Sequence, residues 1–157
     1  MAKGIKSGLR TVVTFTSSTF KTVDIEDKQR FRGTFGDDVA IWLMMEMQSD
    51  GVDVVAGLHQ ADAGWFYAFR VEGKRHLASI NLYDSARFMW QVTVERDVTG
   101  PLAWLGGRRR GVRARASQAM HRILDRSGKA ANIWWYLPRD LKPGSEGKGS
   151  AVPLPST

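Results

Sequence analysis

The chain has 157 residues, of which 43% are hydrophobic and 10% aromatic, and its formal net charge at pH 7 is +7. This length and composition suit one globular domain with a core of its own. The sequence contains no cysteine, which excludes disulfides, thiolate metal sites and a cysteine nucleophile.

The amino-terminal residues lack the apolar run of a signal peptide, because Arg10 and several threonines interrupt it. The longest apolar run, at 40–45, is too short for a bilayer, which needs about 20 residues. We therefore expect a soluble cytoplasmic protein with a flexible segment over residues 1–10.

Residues 11–16 are rich in β-branched side chains and alternate around Val13 and Phe15, which predicts a first strand. The hydroxyl run at 16–19 follows it without the surroundings of a serine nucleophile. We interpret this run as a solvated strand end.

A helix is expected to begin at Asp37 and Asp38, because aspartate accepts orphan amide hydrogens and opposes the positive end of the helix dipole. Apolar residues over 39–47 then follow the three-and-four spacing of one helix face. Asp50 and Gly51 indicate its end.

Three successive runs, at 65–71, 77–83 and 88–94, alternate between apolar and other side chains with short turns between them. They predict an antiparallel meander with one strongly apolar face. A further short strand is possible at 52–55.

An amphipathic pattern predicts a second helix over 112–127, ended by Gly128, and an aromatic run at 132–137 predicts a last strand. Residues 138–157 are rich in proline, glycine and serine without periodicity, which predicts a disordered tail. The single domain is then expected to occupy 11–137.

This order of elements predicts an α+β fold, a two-layer sandwich. Its antiparallel sheet contains the meander of three strands plus the amino-terminal and carboxy-terminal strands. Two amphipathic helices cover one face of that sheet.

The positive charge is concentrated at 96–129, where nine basic residues face two acidic ones, so that this stretch alone accounts for the net +7. Cations oppose the dipole at a helix start, whereas glycine backbone with planar guanidinium groups suits a phosphate or carboxylate. We predict an anion-binding loop, with a solvated loop as the alternative. Its residues are Arg108, Arg109, Arg110, Arg113 and Arg115.

The sheet face away from the helices carries aromatic and methionine side chains among small polar ones, a composition typical of contact surfaces. A second copy of the chain, a peptide or stacked bases would suit this face, unless the tail or residues 21–33 cover it. The residues predicted for this interaction face are Phe66, Arg70, Tyr83, Met89 and Trp134.

No catalytic residues, metal site or cofactor are predicted. Capping explains Asp37 and Asp38, while His59 and His121 lack the spacing of a metal site. A small enzyme using these four residues stays open as a third hypothesis.

The leading hypothesis is a non-catalytic binding or adaptor protein that uses the arginine-rich loop. Its expected partners are nucleic acid, an acidic protein segment or an anionic membrane surface, in that order. The alternative is a protein-interaction module, chaperone-like or immunity-like, that uses the open sheet face and could form a homodimer through it. The helix and sheet layout is similar to that of secretion chaperones, which are usually acidic, whereas this chain is basic.

Overall fold

The computed structural model describes residues 8–20, 36–61, 64–98, 111–141 and 148–154. Within these ranges the chain forms one antiparallel sheet of six strands with two α-helices packed on it, which confirms the predicted α+β arrangement. The strands are β1 (Val12–Thr16), β2 (Asp53–Ala61), β3 (Gly64–Val71), β4 (Lys74–Asp84), β5 (Met89–Arg96) and β6 (Ala131–Tyr136). The helices are α1 (Asp37–Ser49) and α2 (Ala114–Arg126), and a 3-10 turn follows at Pro138–Asp140. In the described part of the chain, neither helix has the length and apolar character needed to cross a membrane.

The strand order is β2-β3-β4-β5-β1-β6, and every neighbouring pair is antiparallel. β1 therefore lies between β5 and β6. The meander has four strands, since β2 extends from Asp53 to Ala61 instead of ending at 55. Gly57, His59 and Gln60 lack the β-branched character on which a prediction of this strand depends.

The core lies between the sheet and the helices. The predicted inward phase of the meander is confirmed, because Phe69, Ile80, Trp90 and Val92 are buried in one cluster and Trp65 packs against it. From the helices this cluster receives Leu43, Met120 and Leu124 among others.

The start of α1 differs in detail from the predicted aspartate cap. Its first flanking residue is Gly36, with a φ of 118° and no side chain to cap the helix, but Asp38 Oδ1 accepts from the Val39 amide at 2.9 Å. A Cβ at Gly36 would lie 3.3 Å from Trp90 Cζ3, so glycine also suits the close contact. Asp37 and Asp38 occupy the first turn, where their charge suits the dipole.

Residues 148–154, within the predicted disordered tail, pair with the rest of the domain. Trp135 and Ser150 exchange two backbone hydrogen bonds, of 2.7 and 2.8 Å. The Arg10 amide donates to the Pro153 carbonyl at 2.8 Å, and Pro153 is buried. Backbone pairing of this kind needs no apolar periodicity, which is why composition does not reveal it. The division of the chain at residues 10 and 137 stays a prediction.

Candidate functional site

The described basic side chains of 96–129 all contact other parts of the protein. Arg113 Nε lies 3.9 Å from a Glu72 carboxylate oxygen, and Arg115 Nε lies 3.5 Å from the other one. The remaining predicted anion-binding residues, Arg108, Arg109 and Arg110, lie outside the described residues. The described part of the predicted anion site thus faces a carboxylate of the same chain.

His76 is on β4 and is fully buried. Its imidazole ring contacts the amino terminus of α2. The backbone amide of Arg113 donates to His76 Nε2 at 3.1 Å, and Nδ1 lies 2.8 Å from the Lys74 carbonyl. Nε2 accepts a hydrogen bond, so the proton of the neutral ring is on Nδ1, which donates to Lys74. Burial lowers the pKa of His76 and keeps it neutral.

Two more arginines of the basic stretch join the helices to each other. Arg122 Nε donates to Asp50 at 3.0 Å, and Arg126 Nη1 donates to the same carboxylate at 2.7 Å. The hydrogen bond from Arg122 is the main reason that the pKa of Asp50 is lowered. Asp50 follows α1, so these contacts fix its end against α2.

The five residues predicted for the interaction face alternate with core residues, but they fall into two groups. Phe66 stacks on His59 with ring centroids 5.4 Å apart, and Arg70 Nη1 lies 3.3 Å from Asp53 Oδ2, both toward edge strand β2. Tyr83, Met89 and Trp134 instead line a cleft of about 280 Å³ on β1, β4, β5 and β6. We call this the open-face cleft.

A second cleft, of about 640 Å³, lies at the end of the sheet between the β4–β5 turn, the residues after β1 and the start of β6. Hydroxyl-bearing residues 16–19 line it together with Arg87 and Lys129. We call this the end cleft. The open-face cleft and the end cleft share Thr16, Arg87 and Asn132, so they are continuous.

Two of the four register shifts in the described sheet lie beside these clefts, and the other two lie between β2 and β3. The β4–β5 register shifts between Leu82 and Asp84, and the β1–β6 register shifts between Thr14 and Thr16. Each shift leaves one extra residue, and such bulges redirect side chains.

Two cleft-lining residues have positive φ, Phe88 at 52° and Asn132 at 51°. Asparagine tolerates this conformation, whereas a phenylalanine there is strained by about 1 to 3 kcal/mol. Asn132 Nδ2 donates to Thr16 Oγ1 at 3.0 Å, and the Phe88 carbonyl accepts from the Ser17 amide at 3.0 Å. A third described residue, Glu72 in the turn between β3 and β4, also has a positive φ, of 53°, so two of these three residues lie at the clefts.

The described residues that line the two clefts include cations but no carboxylate. Arg87 Nε donates to Asp84 at 2.7 Å, which holds the guanidinium at the shared rim. Lys129 Nζ lies 5.5 Å from the centre of the Trp42 ring. Aromatic side chains therefore lie beside hydroxyls and positive charge.

The residues of the enzyme hypothesis lie on three different elements and at different positions in the fold. Asp37 and Asp38 begin α1, His59 lies on β2, and His121 Nδ1 on α2 accepts from Trp135 Nε1 at 3.1 Å. Within the described ranges, no group of three histidine, aspartate or glutamate side chains could hold a metal ion.

Comparison with protein-family models, curated proteins and solved structures finds no match for this chain.

Sequence reasoning placed Tyr83, Met89 and Trp134 on the open face, but it missed Arg87 and Lys129. The hydroxyl run at 16–19 was visible as a motif and was interpreted as a solvated strand end. Its proximity to Arg87 depends on the pairing of β1 with β5, and a sequence pattern does not show that two strands pair.

Proposed function

We propose that this protein is a non-catalytic binding protein that holds a single-stranded nucleic acid on the open face of its sheet. The observation that carries the proposal is the open-face cleft, which is lined by Trp134, 44% exposed, and by the half-buried Tyr83. Aromatic side chains on such a surface stack with bases of any sequence, and each stacked base contributes about 1 to 3 kcal/mol.

Charge supports the same class of partner. The chain has a net charge of +7, and the cations Arg87 and Lys129 line the clefts. A localised positive field attracts a polyanion at long range and releases its counterions on binding. The bases then contact the aromatic surface while the backbone stays near the cations.

In this proposal the nucleic acid makes its main contact with the open sheet face and not with the arginine-rich loop. Arg113 and Arg115 are next to Glu72, and the amide at the start of α2 donates to His76. In this proposal Arg108, Arg109 and Arg110 contribute attraction at a distance, while the sheet face contacts the bases.

Trp134→Ala tests the proposal. In fluorescence anisotropy with a labelled oligothymidylate of about ten nucleotides, we expect the substitution to weaken binding roughly 5- to 150-fold, which corresponds to one lost stacking contact. Met45→Ala is the matched control, since Met45 is 57% exposed but lies on α1. We expect this control to bind as the wild type does.

Two results would contradict the proposal. One is a wild-type protein that shows no salt-sensitive binding to the oligonucleotide. The other is a wild-type dimer that Trp134→Ala converts to a monomer in analytical ultracentrifugation, because the open face would then be the contact between two copies.

A further inference from the structure

We infer that the end cleft binds the phosphodiester backbone of the strand whose bases stack in the open-face cleft. This inference rests on the proposed function. It adds a contact for the phosphates next to the surface that contacts the bases. It concerns the cleft of about 640 Å³ at the end of the sheet.

The chemistry of the end cleft matches phosphate. Ser18 and Thr19 are exposed, and Ser17 Oγ accepts from the Thr19 amide at 3.3 Å, which shapes this segment. Hydroxyls donate hydrogen bonds to phosphate oxygens, and Lys129 supplies a point charge on the same wall. None of the described lining residues carries a carboxylate, and the nearby Asp84 carboxylate is paired with Arg87.

The geometry connects this chemistry to the aromatic surface. Thr16, Arg87 and Asn132 line both clefts, so one ligand can occupy both. Asn132, which lines both clefts, and Trp134, which lines the open-face cleft, are two residues apart on β6. A base on Trp134 therefore has its own backbone near the mouth of the end cleft.

Each of the two cations has a contact within the protein. Asp84 holds Arg87, with Nε donating at 2.7 Å, and the Trp42 ring lies under the Lys129 ammonium at 5.5 Å. The Asp84 carboxylate offsets part of the Arg87 charge, so the phosphate contact depends chiefly on Lys129. Arg87 and Lys129 line the end cleft while they make these contacts.

The test is the salt dependence of oligonucleotide binding. For a single strand, the slope of log K against log salt changes by about 0.7 for each phosphate contact. We expect Lys129→Gln to reduce the slope by about 0.7 and Lys129→Arg to restore it. Lys74→Gln makes the same charge change at the other end of β4, and we expect it to keep the wild-type slope. Circular dichroism confirms that each variant is folded.

The outcomes separate this inference from the proposed function. If Lys129→Gln keeps the wild-type slope while Trp134→Ala still weakens binding, the end cleft does not hold phosphate and the open face remains the binding surface. If the wild type binds no oligonucleotide, both proposals are overturned. Tighter binding of an oligoglutamate peptide than of the oligonucleotide would also overturn both, in favour of an acidic protein segment.

Discussion

The buried His76 imidazole joins the start of β4 to the start of α2. It donates to the Lys74 carbonyl and accepts from the Arg113 amide, and its ring stacks on Phe69. Burial lowers its pKa most, and the charges of Arg96 and Arg113 lower it further, while the Lys74 hydrogen bond and Glu72 act in the opposite direction. A protonated ring would present an N–H to the Arg113 amide and lose this hydrogen bond.

This arrangement predicts a pH-dependent stability. The unfolded chain has the ordinary histidine pKa of about 6.5, and the folded value is lower, so the unfolded state takes up the proton first. The free energy of unfolding should be constant above pH 6.5 and fall as the pH drops through the folded pKa, by at most about 1.4 kcal/mol per pH unit.

Urea unfolding between about pH 7.5 and pH 5.5 measures this slope. His76→Gln keeps an acceptor for the Arg113 amide but cannot titrate, so this variant should be less stable and lose the slope that His76 causes. An unchanged slope in His76→Gln would show that the proton is taken up elsewhere.

For single residues, the sequence predicts the sheet face on which a side chain lies better than it predicts the residue that the side chain contacts. The period of two along β3, β4 and β5 correctly places Phe66 and Met89 on the opposite side from Phe69 and Trp90. Contacts across long separations carry no local signal. The hydrogen bond between His76 and Arg113 spans 37 positions, and the ion pairs of Asp50 span more than 70.

Among the elements, the carboxy-terminal segment 148–154 differs most from expectation. It has no periodic apolar pattern, but it pairs with the outer side of β6 through Trp135 and Ser150. A Cβ on Gly149 would lie 2.9 Å from the Tyr136 ring, so a residue without a side chain is needed at this contact. The helices and the meander were predictable because their apolar residues repeat with regular periods.

Removal of residues 142–157 should therefore lower the stability of the fold. Each lost backbone hydrogen bond contributes about 1 kcal/mol, so we expect a total loss of about 1 to 3 kcal/mol and a Tm lower by several degrees. The Trp135 amide should also lose its protection in hydrogen exchange, because it donates to the Ser150 carbonyl. An unchanged Tm and a protected Trp135 amide would contradict the observed pairing.

In the whole molecule, the arginines that join the two helices lie at a different place from the cations that line the two clefts. Arg122 and Arg126 hold α2 against α1, while Arg113 and Arg115 lie near Glu72 and Arg87 is paired with Asp84. The two clefts lie at a different place, where Arg87 and Lys129 accompany exposed aromatic and hydroxyl groups. Our account assigns binding to this second region.

The central claim is that bases lie on the open sheet face, and photo-crosslinking tests it most directly. A single strand carrying 5-iodouracil is irradiated with the wild-type protein, and the crosslinked tryptic peptides are identified by mass spectrometry. We predict crosslinks in peptides 76–87 and 130–139, which contain Tyr83 and Trp134. Crosslinks confined to 97–115 would contradict this account and place the bases at the arginine-rich loop instead.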